Sequence, residues 1–211
     1  MLREETVEPT TLGLLKKMVS MPELTQFRLV GGTALSLIYG HRKSIDLDFF
    51  TDQPIEKEAL IEALENNFGQ VVPTNDRFRN IYQCIIQGVK VDFVCVKDAF
   101  LTPANIIDGI PFPEIKDLIA LKLNAIKGRG VKKDFWDVAV LLKSYTMAQL
   151  FQFYQNRYPW DDSLALERSI GYFVDAESDN DPFAFDGMTW GKVKKVISSS
   201  LKDYYKQKNI N

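Results

Sequence analysis

The sequence predicts an α+β fold: a mixed β-sheet core flanked by helices, with a C-terminal helical part. Three observations predict it. Strand and helix patterns alternate through the first half of the 211 residues, whereas the second half carries helical periodicity alone. Between them, residues 98–113 hold three prolines and one glycine, a loop composition. The domain boundary is therefore placed there, with 1–112 as the core and 113–211 as a helical domain.

The elements follow in order. Residues 10–24 form a first helix. Phe27–Val30 is a short apolar strand that stops at Gly31-Gly32, and residues 33–39 form a short helix. Ile45–Phe50 alternates apolar and acidic side chains, the period of a strand with one packed face. Pro54 precedes an amphipathic helix over Glu56–Asn67. Val71–Val72, Asn80–Gln87 and Lys90–Lys97 are strands, the last two joined at Gly88 in a tight hairpin. Helices are predicted near 114–127, 132–145, 147–157, 163–176 and 190–208. Thr146 and Gln149 have the spacing of a capping box. Residues 175–187 are acidic, with Pro and Gly, and predict a surface loop.

Composition excludes several classes. Apolar residues make up 45% and charged residues 26%, ordinary values for a folded protein. A chain of this length buries about 70% of its unfolded surface and needs no disulfide or metal staple. The net charge of -2 excludes a wholly basic surface for nucleic acid, but not a local patch. Cys84 and Cys95 form no CxxC pair, which argues against zinc or redox chemistry. They are expected as reduced thiols in apolar strands. A single histidine, His41, excludes a multi-histidine metal site; it is expected in a turn or near phosphate. No apolar run reaches the roughly 18 residues of a membrane span, and the N-terminus lacks a leader pattern. A cytoplasmic protein without membrane contact is expected.

The chemistry concentrates in carboxylates. Residues i and i+2 of a strand share a face. Asp46 and Asp48 therefore lie together, with Ile45, Leu47 and Phe49 packed on the other side. Two acids this close repel unless a cation neutralises them. In Val89–Val96, Asp92 faces away from the apolar set 89, 91, 93 and 95, flanked by Lys90 and Val94. If the two strands pair, three carboxylates converge, a set suited to one or two Mg²⁺ or Mn²⁺ ions completed by phosphate and water. The Gly31-Gly32-Thr33 turn, a strand end entering a helix, is a seat for phosphate.

Gly31-Gly32, a gap of 13 residues and Asp46-Leu-Asp48-Phe resemble the signature of the polymerase-beta-like nucleotidyltransferases. The fuller string from Gly31 through Gly40-His-Arg-Lys-Ser-Ile-Asp-Leu-Asp-Phe-Phe50 resembles the AbiEii/AbiGii-type toxin nucleotidyltransferases. Leu118-Ile-Ala-Leu-Lys-Leu-Asn-Ala-Ile-Lys-Gly-Arg129 and Lys133-Asp-Phe-Trp-Asp137 resemble that family's later motifs. The resemblance implies metal-dependent transfer of a nucleoside monophosphate from a nucleoside triphosphate to a hydroxyl, with pyrophosphate released. It implies that the helical domain completes the active site. It further implies a type IV toxin with a cognate antitoxin, and tRNA as an acceptor. Two alternatives are a non-catalytic binding member of the fold and an antibiotic-modifying enzyme. The family's usual Gly-Ser is Gly31-Gly32 here, so the Thr33 hydroxyl is expected to touch phosphate instead.

Lys122 falls inside the apolar stripe of Ile115, Leu118, Ile119 and Ile126, where a lysine must snorkel or reach a negative partner. The resemblance assigns it to the active site, on phosphate or on the metal-bound acids. Arg129 extends that cationic wall or caps its helix. Asp134 is expected as a general base or as the group that orients Lys122; Asp137 is equally a first-turn acid favoured by the helix dipole. Arg42 suits bidentate phosphate binding, with Ser44 assisting. The segment 190–208 carries Lys192, Lys194, Lys195, Lys202, Lys206 and Lys208 against Asp203 alone, a candidate surface for RNA.

Overall fold

The computed structural model describes residues 1–75 and 77–208. Two compact units divide the chain, Met1–Glu114 and Ile115–Asn211.

In the first unit, α1 (Pro9–Val19) is followed by β1 (Arg28–Val30), α2 (Gly31–Tyr39), β2 (Leu47–Thr51), α3 (Lys57–Phe68), β3 (Val71–Asn75), β4 (Ile81–Ile86) and β5 (Val89–Cys95). The five strands form one mixed sheet in the order β1-β2-β5-β4-β3. Only β2 and β5 run parallel, with Asp48 opposite Asp92. One sheet face is apolar and buried: Leu47 and Phe49, Tyr82, Cys84 and Ile86, Val89, Val91 and Phe93. The Phe93 ring stacks on Phe49 at 5.6 Å and meets the edge of Phe27 at 5.3 Å. Packing on that face leaves the alternate residues, the acids among them, on the other.

Three expectations need correction here. The first helix ends at Val19, and Pro22–Leu24 is a separate 3-10 turn, because Pro22 cannot continue the α-helical ladder. Ile45 does not pack with Leu47 and Phe49; it is 59% exposed. The chain ahead of Leu47 is held by a bridge between Ser44 and Val7, outside the five-strand sheet, so the alternation does not extend to it. The 98–113 segment contains a hairpin, β6 (Asn105–Ile107) and β7 (Ile110–Phe112). Asp108 and Gly109 take positive φ at its turn, the conformation a two-residue hairpin requires. Ile110 and Phe112 bury their side chains.

The second unit is helical: α4 (Ile115–Gly128), α5 (Lys132–Leu141), α6 (Met147–Arg157), α7 (Ser163–Ile170) and α8 (Trp190–Lys208). The Thr146–Gln149 capping box forms and starts α6. α5 stops at Leu141, and α7 stops at Ile170 ahead of Gly171, with Val174–Ala176 a separate 3-10 turn. α4 packs on α5, α6 and α7. A buried ion pair between Arg157 and Asp117 ties α6 to α4. Trp136 of α5 stacks on Trp190 of α8 at 5.9 Å. Among the described residues, no helix is long and apolar enough to cross a membrane.

Candidate active site

The parallel register of β2 and β5 sets Asp48 beside Asp92, and Gln83 of β4 is the antiparallel partner of Asp92 on its other side. Asp92 Oδ2 accepts from Gln83 Nε2 at 2.8 Å and from Lys90 Nζ at 2.9 Å. Its Oδ1 is buried and has no hydrogen-bond donor among the described residues. Asp46 lies two residues ahead of Asp48, in the segment entering β2. All three acids raise the Lys90 ammonium above its ordinary value. Burial, the largest single influence, opposes this; the Asp92 bond and the charges of Asp92, Asp48 and Asp46 outweigh it. Among the described residues, no cluster of three or more His, Cys, Asp or Glu side chains forms a ready-made metal cage. The arrangement is a carboxylate pair on neighbouring strands, with a third acid in the segment just upstream.

The glycine turn is built against these acids. Gly31 has φ +71°, and a β-carbon there would stand 2.0 Å from Asp48 Oδ2. A β-carbon on Gly32 would stand 2.4 Å from Arg42 Nη2 and 3.2 Å from Ser44 Oγ. Only glycine lets the start of α2 approach both groups. The Thr33 hydroxyl is engaged within the protein. It is buried, donates to the Asp46 carbonyl and lies 2.9 Å from Ser44 Oγ. Thr33 thus ties α2 to the segment that carries Asp46, as does Ser44. Arg42 is also buried, and Nη1 donates to the Lys43 carbonyl at 3.0 Å. Its guanidinium underpins the turn. His41 is buried as well.

In the helical unit, Lys122 Nζ lies 2.8 Å from Asp134 Oδ1 and 2.8 Å from Asp137 Oδ2, and all three side chains are buried. The lysine in the apolar stripe therefore reaches negative partners on the next helix. Asp134 is fully buried, which does not fit a base that must meet an incoming hydroxyl; it fits the alternative of orienting Lys122. Arg129 Nε sits 3.7 Å from Asp134 Oδ2, with its side chain 64% exposed. The α8 lysines are partly neutralised. Lys194 pairs with Glu177, Lys208 with Glu167 and Lys206 with Asp203, while Lys192 donates to the Gly187 carbonyl.

Sequence reasoning missed Gln83. Its approach to Asp92 depends on cross-strand register, which no local spacing reveals. Lys90 was legible as a neighbour of Asp92 on the same face, but not as its ion-pair partner.

A mixed sheet with a glycine turn over an Asp-x-Asp strand is the catalytic architecture of a nucleotidyltransferase. The chain matches the family described as "Nucleotidyl transferase AbiEii toxin, Type IV TA system" across residues 14–188, and it belongs to that family. It is 30% identical over 206 residues to an uncharacterized protein of Aquifex aeolicus, covering 90% of this chain and 93% of that one. Its fold is similar to that of JHP933 from Helicobacter pylori (TM-score 0.59, 20% identity, 96% and 97% of the two chains). It is also similar to MenT4, a nucleotidyltransferase toxin from Mycobacterium tuberculosis (TM-score 0.55, 17% identity, 92% and 82%).

Proposed function

We propose that this nucleotidyltransferase moves a nucleoside monophosphate from a nucleoside triphosphate to a hydroxyl of tRNA, with a divalent cation, as the toxin of a cytoplasmic toxin–antitoxin pair. The observation that carries the reading is the Asp48–Asp92 register beneath the Gly31-Gly32 turn. The residues fit Mg²⁺ or Mn²⁺. Asp92 Oδ1 is buried without a donor among the described residues, and Asp48 is pressed against backbone that has no β-carbon. Among the described residues no three such side chains form a cage, so the ion would be held chiefly by Asp48 and Asp92, with Asp46 nearby and water and substrate phosphate completing the shell, the habit of Mg²⁺. When bound, it supplies charge neutralisation for the triphosphate and the departing pyrophosphate.

The chain's own residues supply position. Backbone N–H groups at the start of α2 meet phosphate oxygens where the helix end is positive. Arg42, Thr33 and Ser44 hold that turn and the Asp46 segment in place. In the reaction the acceptor oxygen bonds to the α-phosphorus and the bond from that phosphorus to the β-phosphate bridge breaks. Pyrophosphate leaves with the electron pair, and the hydroxyl proton passes to water. Lys122 and Asp134 are assigned to positioning, through a buried ion cluster that locks α4 to α5. Arg129, exposed beside that cluster, is a cation of this unit suited to a phosphate.

The test is transfer itself. Purified protein is incubated with Mn²⁺ or Mg²⁺, each α-labelled nucleoside triphosphate and total bacterial RNA, with Asp48→Asn as the control. Label is expected in tRNA-sized RNA, and raised salt should reduce it steeply because phosphate contacts release counterions. Label confined to protein or to an added aminoglycoside would overturn the tRNA reading.

A further inference from the structure

The acid face carries a device that phosphoryl chemistry alone does not require. Across β3, β4 and β5, Asn75 Nδ2 donates to Gln83 Oε1 at 3.0 Å, and Gln83 Nε2 donates to Asp92 Oδ2 at 2.8 Å. The first bond fixes which way the Gln83 amide points, so its N–H₂ must face the acid. Lys90 Nζ reaches the same Oδ2 at 2.9 Å from two residues back along β5. Both donors thus take one oxygen of Asp92 and leave the buried Oδ1 without one. The two differ in kind. Gln83 is neutral and half-buried, and it is held by a neighbour. Lys90 is a full charge on a side chain that is 48% exposed, able to swing into solvent.

We propose that Gln83 and Lys90 are opposed positioning residues for the acid face: Gln83 turns Asp92 towards a divalent cation, while Lys90 is a resident counter-ion that the cation must displace. This rests on the proposed metal-dependent reading and names how that site is regulated. The lysine stabilises three neighbouring carboxylates when no metal is present, and it lowers their affinity for one. The site then fills firmly only when triphosphate brings its own negative charge. That is a means of avoiding idle metal loading.

The two roles predict opposite signs. Mn²⁺ binding to the full chain, without nucleotide, is measured by titration calorimetry beside thermal melting with and without Mn²⁺. Lys90→Met should tighten Mn²⁺ by ~3- to 10-fold, a modest effect for a half-exposed charge in a screened setting. It should also lower the melting midpoint without metal and enlarge the rise when metal is added. Lys90→Arg should restore the parent's values. Gln83→Met should weaken Mn²⁺ by about 3-fold or more, since an unheld carboxylate must be ordered on binding. If the parent binds Mn²⁺ better than Asp48→Asn does, but Lys90→Met binds it equally or more weakly, the counter-ion role is overturned and the metal site stands. If Gln83→Met binds Mn²⁺ as the parent does, the orienting role is overturned. If the parent binds no better than Asp48→Asn, the metal reading fails and this inference with it.

Discussion

Asp48 Oδ2 occupies the space that a side chain on Gly31 would need: a β-carbon at residue 31 would lie 2.0 Å from it. The carboxylate and the Gly31-Gly32 turn are therefore one packed unit. Gly31→Ala has two costs. The backbone holds φ +71°, which L-residues resist by about 1–2 kcal/mol, and the new methyl must push Asp48 aside. The variant should lose a few degrees of melting temperature and nearly all nucleotidyl transfer. A variant that melts lower yet transfers normally would separate the turn from the reaction.

Removing one acid tests the electrostatics of the same face. Asp48→Asn deletes a charge that repels Asp46 and Asp92, so without metal its melting midpoint should match or exceed the parent's. Metal-dependent triphosphate binding should vanish, as read by titration with Mg²⁺ and a non-hydrolysable triphosphate. Binding retained at parental strength would remove Asp48 from the metal set.

Lys122 calls for a different outcome from a lysine that merely snorkels. A snorkelling side chain would tolerate Lys122→Met with stability unchanged. Here the ammonium sits 2.8 Å from each of two buried carboxylates. Deleting it takes the nearest cation from both acids and leaves Asp134 the more distant Arg129 at 3.7 Å; breaking a buried pair in this way costs roughly 3–5 kcal/mol. Lys122→Met should unfold well before the parent in urea. Adding Asp134→Asn and Asp137→Asn should recover much of the loss, because no buried charge then lacks a partner. Equal stability of the single and triple variants would refute the coupling.

These cases show where the sequence could be read and where it could not. The opposition of Asp48 to Leu47 and Phe49 follows from the two-residue period of a strand. That Lys122 needs an anion follows from its place in an apolar helix stripe. Both are local rules. The Asn75–Gln83–Asp92 chain is not local. It depends on the registers of β3 with β4 and of β4 with β5, which pair residues 8 and 9 positions apart. The bond from the Thr33 hydroxyl to the Asp46 carbonyl was not legible for a similar reason. A hydroxyl after two glycines can face phosphate or fold back, and contact with the Asp46 carbonyl decides it. The β6–β7 hairpin was hidden because three prolines outweighed the Asp108-Gly109 turn signal, although Pro111 sits within β7 of a two-stranded sheet, where a missing N–H is tolerated.

Cys84 lies on the packed side of β4. Burial pushes its thiol up to about 12, and the nearby Asp92 charge adds to this. Only about one part in ten thousand is then thiolate at pH 8, and the thiolate is the species that alkylates. Cys84 should therefore resist iodoacetamide at pH 8 in the folded protein and react at once in denaturant. Cys95, partly exposed and shifted in the same direction chiefly by burial, should label first. The shift also has a consequence for stability. The unfolded thiol ionises near its ordinary value of 9.0, while the folded one keeps its proton. Because the folded value is the higher, the contribution is complete below pH 9 and is lost as pH rises towards 12. Cys84→Ala should flatten that alkaline decline while lowering stability at neutral pH through the lost packing. Peptide mapping after timed alkylation, together with urea midpoints between pH 8 and 10.5, checks both. Rapid labelling of Cys84 in the folded protein at pH 8 would show that the packed face of β4 opens freely to solvent.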